Sequence, residues 1–398
     1  MAEIPRGWHM AAHKLWDNGQ RQDAIDALLA EINGSPPGKA DHIIQFVYYL
    51  FALHDFRAAA HFLALGRSSY PDNLQIILNL GIALGRSGKH AEALGPLQDY
   101  LAKGGSEVVA LDALASNHHM LGNLDEARNY GRASLEAKDR ASRALGTLRE
   151  PRADVPNRPK IIAFTLWGSN PRYLRGALHN AELALKVYPG WTCRFWIDAS
   201  VPMDLVDALR SCGAEIVQCE ATEPAHRRLC RRFLVSDDDR AGYFLVRDCD
   251  SLVSEREADA VNEWLSSGRS FHVMRDWWTH TDTMLAGMWG GIARALPSMS
   301  RLVESYSSAH VVTANWDQWL LRDQVWGLIR NNCLVHDRFY RATGGRAFPG
   351  PDPDGSRHIG QDEFAVRRAE QEAFLAAWTD RVPSLQIPGV NQLGGALR

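Results

Sequence analysis

The chain has 398 residues, of which 45% are hydrophobic and 23% charged, with a formal net charge of −3. This composition is typical of a soluble globular protein long enough for two domains. It predicts no global attraction to nucleic acid, and no apolar run approaches the roughly 20 residues that span a bilayer.

The six cysteines are scattered without a Cys-x-x-Cys pair. This argues against a structural zinc site or a disulfide framework and favours a reducing compartment. The opening residues, Met-Ala-Glu-Ile-Pro-Arg, lack a basic region followed by an apolar core, so we predict no signal peptide. We therefore expect a cytoplasmic protein without a transmembrane segment, with a peripheral membrane role as the alternative, and the sequence leaves its oligomeric state open.

The first third of the chain repeats itself about every 34 residues. A small or turn residue recurs at Gly19, His54, Gly88 and Gly122. Five residues after each stands an alanine, namely Ala24, Ala59, Ala93 and Ala127. Four residues before each stand Leu15, Leu50, Leu84 and His118. This period predicts paired antiparallel helices that approach closely at the alanines and stack into one continuous core.

The register resembles the tetratricopeptide repeat, which implies an α-solenoid over residues 1–145 with a concave surface that binds a peptide or protein. A rigid spacer or dimerisation arm is the alternative. Residues 146–159 are polar and then proline-rich, which is typical of a linker.

Strands and helices alternate beyond the linker, in residues 160–398. Strands are predicted at residues 160–167, 192–198 and 214–219, with helices at about 172–187 and 201–212 between them. This alternation predicts right-handed crossovers and a largely parallel sheet. The fold class is therefore α plus α/β, with two domains.

The pattern Asp-x-Asp occurs three times, and only one copy follows a strand. Asp237 to Asp239 lies in a polar turn, and Asp352 to Asp354 lies in a loop rich in proline and glycine. Asp248 and Asp250, in contrast, end the apolar run that begins at Tyr243. Carboxylates at i and i+2 share one face of a strand, and open α/β sheets bind ligands at the carboxyl ends of their strands. Oxygen ligands of this kind suit Mg²⁺ or Mn²⁺, whereas a turn or capping role is the alternative.

Residues 160–365 resemble a glycosyltransferase of the GT-A type, in the order of the elements as well as in the Asp-x-Asp motif. The resemblance implies that Thr165 and Trp167 lie under the nucleotide and Asp198 near the nucleoside. It also implies that Asp250 binds the metal and that Asp248 contacts the ribose or the metal. The implied cofactor is Mn²⁺ or Mg²⁺, and the implied donor is a nucleoside diphosphate sugar, with UDP favoured over GDP.

A histidine near the end of such a domain frequently completes the metal site, and His336 is our candidate, with His358 in reserve. Among the clustered arginines 227, 228, 231 and 232, we expect Arg231 to neutralise the diphosphate and the other three to form a solvated helical face or a patch for an anionic membrane. Arg247 is expected on the opposite face of its strand.

The acceptor region is rich in glycine and aromatic residues. Gly287 and Trp289 are candidate sugar-binding residues, because sugars stack their apolar ring faces on aromatic rings and the glycines that flank Trp289 are expected to open space around it. Gln318 belongs to an Asp-Gln pair that resembles one placed by the donor sugar. An inverting transfer needs a carboxylate base, and Asp317, Asp276 and Asp282 are the candidates, although Asp317 could instead cap a helix.

These patterns together predict a metal-dependent glycosyltransferase that moves a sugar to a hydroxyl acceptor, a protein or a glycan, recruited by the repeat domain. One alternative is a non-catalytic scaffold with a degenerate α/β domain. The other is a Mg²⁺-dependent nucleotidyltransferase, whose usual glycine-rich loop is poorly matched by Gly168-Ser-Asn-Pro171.

Overall fold

A computed structural model describes residues 5–34, 39–306, 315–362, 373–374, 376–378 and 381–385. The chain divides into two compact units, Met1–Ala137 and Lys138–Arg398. Within the described ranges, no helix has both the length and the apolar character needed to cross a membrane.

The first unit is built from helices alone over the residues described. Their bounds are α1 Met10–Asp17, α2 Arg21–Ile32, α3 Ala40–Ala52, α4 Phe56–Ser69, α5 Leu74–Arg86, α6 His90–Ala102, α7 Glu107–Met120 and α8 Leu124–Ala141, the last of which runs past the unit boundary. Side-chain caps fix some of the starts: Asp55 accepts from the backbone N–H of Ala58, and Asn73 accepts from that of Ile76.

The predicted repeat is confirmed by the backbone at its turn positions. Gly19, Gly88 and Gly122 have φ angles of 81°, 85° and 78°, which glycine adopts without strain. His54 takes the same left-handed conformation with φ 59°, although it is not a glycine. The turn between the paired helices therefore survives the change of residue type in the second repeat.

The recurrent alanines lie where the helices meet. All four are fully buried, as close helix approach requires. His118, which stands where the other repeats have leucine, is also buried and stacks on Tyr130 with ring centroids 5.2 Å apart. An aromatic contact thus replaces an aliphatic one in the last repeat.

The second unit contains a seven-stranded sheet in the order β3-β2-β1-β4-β6-β5-β7. The strands are β1 Lys160–Leu166, β2 Trp191–Ile197, β3 Glu215–Gln218, β4 Tyr243–Val246, β5 Phe271–Arg275, β6 Trp289–Ile292 and β7 Cys333–Asp337. β6 pairs antiparallel with β4 and β5, and the other pairs are parallel. The sheet is therefore mixed, with the largely parallel character that the sequence predicts.

Helical segments cover both faces of this sheet. They are α9 Pro171–Val187, α10 Met203–Ser211, α11 Ala225–Leu229, a 3₁₀ segment Cys230–Asp237, α12 Glu255–Ser266, α13 Met299–Ser305, and α14 Trp316–Leu320 followed by a π-helical segment Leu321–Trp326 and α15 Gly327–Ile329. A hydrophobic core lies on each face of the sheet, and alternate residues of β1 pack into one or the other. Ile162 and Phe164 pack against α9, whereas Ile161 and Ala163 belong to the core with the 3₁₀ segment and α14.

The predicted strands and helices around β1 agree with the structure to within two residues. The start of α9 shows why the local sequence was sufficient to predict these bounds. Asn170 accepts a hydrogen bond from the backbone N–H of Arg172, and Pro171 occupies the first helical position, where a missing N–H costs nothing.

Candidate active site

The Asp248–Asp250 loop lies where the strand order changes direction. From β1 the chain proceeds to β2 and β3 on one side, and then returns to place β4 on the other side of β1. The carboxyl ends of β1 and β4 therefore flank the switch point, which is where open α/β sheets form a ligand-binding crevice. Asp248 is the second residue beyond β4.

Helix α9 and strand β1 fix the backbone of this loop. Asn180, fully buried, donates to the carbonyl oxygen of Ser251 at 2.9 Å and accepts from the N–H of Val253 at 2.9 Å. One turn earlier, a Cβ added at Gly176 would overlap the carbonyl oxygen of Cys249, so only glycine lets α9 approach this closely. Neither residue was predicted to belong to the site, because nothing in the local sequence distinguishes them from ordinary helix positions.

Cys249 packs inward, as expected for the residue between two carboxylates on the opposite face. Its thiol lies 3.3 Å from the carbonyl oxygen of Thr165, and burial raises its pKa well above the ordinary value. The thiol therefore stays neutral and contributes packing.

The carboxylate of Asp250 is paired with an arginine of α9. Arg172 contacts Asp250 at 2.5 Å and Asp362 at 2.9 Å. Burial raises the pKa of Asp250, the negative charge of Asp248 raises it further, and Arg172 opposes the rise. The two carboxylates of the motif are therefore close enough to repel each other.

The carboxylate of Asp248 is paired with a different arginine, Arg232. The same guanidinium group contacts Asp317 at 3.0 Å, so it bridges two of the predicted site residues. Although burial opposes its charge, the two carboxylates raise the pKa of Arg232, which stays positive. Our expectation that Arg232 belongs to a solvated helical face is wrong: its side chain is only 4% exposed.

Gly287 also belongs to this site, because a Cβ at this position would overlap the carboxylate of Asp248. Asp317 is buried, and its carboxylate also accepts from the backbone N–H of Gln318 at 2.9 Å. Burial raises the pKa of Asp317; Arg232 opposes the rise and Asp248 adds to it. Asp248, Gly287, Asp317 and Gln318 are therefore brought together as neighbours.

The ends of β1 and β2 form an adjoining network. Asp198 accepts from the backbone N–H of Ser200 at 3.1 Å and lies 3.4–3.5 Å from the guanidinium groups of Arg228 and Arg231. Burial works against its charged form, but Ser200 and the two arginines together hold the pKa of Asp198 below its ordinary value. Arg231, our candidate for the diphosphate, is buried here and also pairs with Glu223 at 2.7 Å.

Thr165 joins the same network from β1. Its hydroxyl donates to the carbonyl oxygen of Arg228 at 3.0 Å, and the backbone N–H of Gly168 donates to Ser200 at 2.6 Å. Trp167, between them in sequence, is half-buried. The three residues predicted to surround the nucleotide and nucleoside, Thr165, Trp167 and Asp198, thus all stand at neighbouring strand ends.

The other two candidate bases are held elsewhere. Asp276 follows β5 and is fully buried, where it accepts from the N–H of Ile359 at 2.9 Å and pairs with Arg256 at 3.3 Å. Burial raises its pKa. Asp282 accepts from the N–H of Thr283 and lies 3.8 Å from Arg322. Neither of these contacts joins them to Asp248 or Asp250.

Trp289, which we predicted to bind sugar, has a structural role. Trp289 is fully buried and packs edge-on against Phe233 and Phe244, so it offers no ring face to a sugar. The glycines after it do not open space, because a Cβ at Gly290 or Gly291 would overlap the residues of the neighbouring strands. Our assignment of Trp289 to sugar binding is therefore wrong.

His336 is not brought to the two carboxylates. It lies on β7, and β6 and β5 separate that strand from β4. Its ring nitrogens pair with His272 at 2.8 Å and Glu263 at 3.2 Å, and burial lowers its pKa. The reserve candidate, His358, stacks on Trp277 with centroids 4.4 Å apart.

The three Asp-x-Asp copies make different contacts in the structure. Asp237 accepts from the backbone N–H groups of Met299 and Ser300 at the start of α13, and Asp239 pairs with Arg152. Asp352 pairs with Arg256. Only the Asp248 copy lies at the strand switch point.

The residues around Asp248 and Asp250 suit a divalent cation in their chemistry, although not as a closed protein cage. Four carboxylates (248, 250, 317 and 362) lie around the guanidinium groups of Arg172 and Arg232. In the described ranges no set of three or more His, Cys, Asp or Glu side chains is arranged to hold a metal ion. Two carboxylates alone are the protein ligands that Mg²⁺ frequently uses when phosphate oxygens and water complete its shell.

No family model and no curated protein matches the chain. Among solved structures, a mutant O-GlcNAc transferase of Thermobaculum terrenum is similar at 16% identity over 59% of this chain and 44% of that one, with a TM-score of 0.37. MamA of AMB-1 is similar at 17% identity over 32% of this chain and 75% of that one, with a TM-score of 0.30.

A third similar structure is 4-diphosphocytidyl-2C-methyl-D-erythritol synthase of Anaerococcus prevotii. It is 12% identical over 56% of this chain and 99% of that one, with a TM-score of 0.34. Because all three TM-scores are low, a function for this chain has to be argued from its own residues.

Proposed function

We propose that the second unit is a metal-dependent glycosyltransferase of the GT-A type, which takes a nucleoside diphosphate sugar as donor and a hydroxyl group as acceptor. One observation carries the proposal. Two mutually repelling carboxylates, Asp248 and Asp250, stand at the switch point of an α/β sheet. A divalent cation would relieve their repulsion, and the diphosphate would complete its coordination.

The proposed role of each residue follows from its position in the site. Asp248 and Asp250 would hold Mg²⁺ or Mn²⁺ against the diphosphate, and the bound ion would stabilise the negative charge that develops on the leaving group. Thr165, Trp167 and Asp198, at the neighbouring strand ends, would surround the nucleoside. A third protein ligand is not part of this proposal, because His336 lies on another strand.

Asp317 is our candidate for the base of an inverting transfer. Among the three carboxylates considered, it is the one that an arginine joins directly to Asp248. Its raised pKa favours proton uptake, which is what a base must do when the acceptor hydroxyl attacks the sugar. Gln318, next to it and half-buried, would contact the donor sugar.

The helical first unit would bind and recruit the acceptor. Stacked helix pairs present an extended surface on which such repeats bind peptides or proteins. Recruitment of a protein or glycan acceptor by this unit is therefore the second part of the proposal.

Catalysis is tested by incubating the protein with Mn²⁺ and a panel of UDP- and GDP-sugars, and measuring the nucleoside diphosphate that is released when water takes the place of the acceptor hydroxyl and receives the sugar. We expect release from one class of donor. Asp317→Asn should slow it about 100-fold or more, since general bases contribute on the order of 10²–10⁴, whereas Asp276→Asn should not. Absence of release from every donor would contradict the proposed reaction, and the reverse ranking of the two variants would move the base to Asp276.

A further inference from the structure

The two arginines that neutralise the Asp-x-Asp loop differ in how firmly they are held. Arg232 is 4% exposed and bridges two carboxylates. Arg172 is 35% exposed and stands in the first turn of α9, with its guanidinium 5.2 Å from the ring of Tyr173. A half-exposed arginine on a helix surface can change rotamer without moving the backbone, whereas a buried one cannot.

Arg172 occupies the position that a cation would need on Asp250. Its contact to the Asp250 carboxylate is 2.5 Å, and the same guanidinium nitrogen lies 2.9 Å from Asp362. A divalent ion at Asp248 and Asp250 would place a second positive charge beside this guanidinium. Asp362, 33% exposed, offers Arg172 a carboxylate to which it can remain paired after it leaves Asp250.

We propose that Arg172 is an internal counter-ion that competes with the divalent cation for Asp250, and that it transfers to the diphosphate of the donor when the cation binds. This inference rests on the proposed function. The planar guanidinium fork suits phosphate oxygens, and Arg172 projects from the carboxyl edge of the sheet where the diphosphate would lie. The exchange keeps Asp250 beside a positive charge in both states, because the guanidinium pairs with it in the absence of ligand and the cation would do so in its presence.

The competition predicts effects of opposite sign on two ligands. In Arg172→Gln, Mn²⁺ alone should bind about tenfold tighter, because its competitor is gone, and the nucleoside diphosphate at saturating Mn²⁺ should bind about tenfold weaker, because a charge-assisted phosphate contact is lost. Free Mn²⁺ is measured by electron paramagnetic resonance, and UDP and GDP by calorimetric titration. Arg172→Lys, which keeps the charge but not the fork, should fall between.

A matched variant separates competition from the general loss of a positive charge. Arg228→Gln removes one guanidinium at the neighbouring strand end, where the partner is Asp198. It should leave the affinity for Mn²⁺ alone within about twofold of wild type. Equal tightening in both variants would mean that only long-range charge matters, and would overturn the inference.

The remaining outcomes are equally decisive. Mn²⁺ binding that is unchanged or weaker in a folded Arg172→Gln protein would overturn the role of Arg172 while leaving the metal site in place. Tighter Mn²⁺ binding with unchanged nucleotide affinity would overturn the transfer to the diphosphate. No Mn²⁺ binding by wild type or variant, with or without nucleotide, would instead contradict the proposed function itself.

Discussion

At the end of β4, Asp248 and Asp250 are two residues apart in sequence, yet they interact with different parts of the chain. Asp250 meets Arg172, which is 78 residues away, and Asp248 meets Arg232, which in turn meets Asp317, 85 residues further on. The spacing of the two carboxylates is local and was predictable. Their arginine partners were not predictable, because the strand order determines which distant side chains lie next to the two carboxylates.

His280 is a second residue whose role depends on tertiary contacts. Its Nδ1 accepts hydrogen bonds from the backbone N–H groups of Asp276 at 2.9 Å and Trp277 at 3.1 Å, so that nitrogen cannot carry a proton in the folded state. Burial, with His358 and Arg275 contributing, lowers the pKa of His280 to about 3.

This geometry predicts a pH dependence of stability. In the unfolded chain this histidine takes up a proton as the pH falls below about 6.5, and in the folded chain it stays neutral. The free energy of unfolding therefore decreases below that pH, by up to about 1.4 kcal/mol per pH unit. His280→Asn keeps an acceptor oxygen near the Nδ1 position without the titration. Its free energy of unfolding should therefore depend less steeply on pH between 6 and 4, by about 1 kcal/mol per pH unit, when both proteins are unfolded in urea. Identical slopes would show that His280 is not held neutral.

At the scale of elements, the contact between α9 and the Asp248–Asp250 loop positions the site. Asn180 anchors the loop by hydrogen bonds, and Gly176 permits the approach. The sequence predicts α9 because caps and apolar periodicity are local. It does not predict that Gly176 must be glycine, since that depends on a carbonyl group 73 residues later.

Two glycines inside helices give a matched test of this contact. A Cβ at Gly176 would overlap the Cys249 carbonyl oxygen, whereas a Cβ at Gly95 in α6 meets nothing within 4 Å. At Gly95 the helix propensity of alanine, about 0.5–1 kcal/mol, is offset because Pro96 follows and disfavours the helical conformation of a residue with a Cβ, so we expect Gly95→Ala to change stability by no more than about 0.5 kcal/mol. Gly176→Ala should lower it by about 1–3 kcal/mol, because overlap with backbone outweighs the helix propensity of alanine. Scanning calorimetry measures both, and equal effects of the two changes would refute the contact.

Trp289 shows how a local pattern can mislead at this scale. A tryptophan followed by two glycines suggested an open sugar platform, but all three lie within β6, between β4 and β5. Both positions require glycine, because residues of the neighbouring strands occupy the space that a side chain would need. Sequence composition cannot distinguish an open surface from a crowded strand, since the difference lies in which strands pair.

At the scale of the whole molecule, the helical repeat was the most predictable feature, because four copies of one spacing reinforce one another. The α/β architecture was also predictable from alternating strands and helices. The antiparallel insertion of β6 between β4 and β5 was not, because strand direction is set by connections that carry no motif.

We propose above that the carboxyl edge of the sheet binds a nucleoside diphosphate through a divalent ion. Calorimetric titration of UDP and of GDP into the wild-type protein with Mn²⁺, repeated with EDTA and with Asp250→Asn, tests it most directly. We predict binding of one nucleotide that requires the metal and disappears in the variant, whose Tm stays within a few degrees of wild type because Arg172 retains Asp362 as a partner. Failure of the folded wild-type protein to bind either nucleotide, or binding that is equally strong in EDTA, would contradict the account.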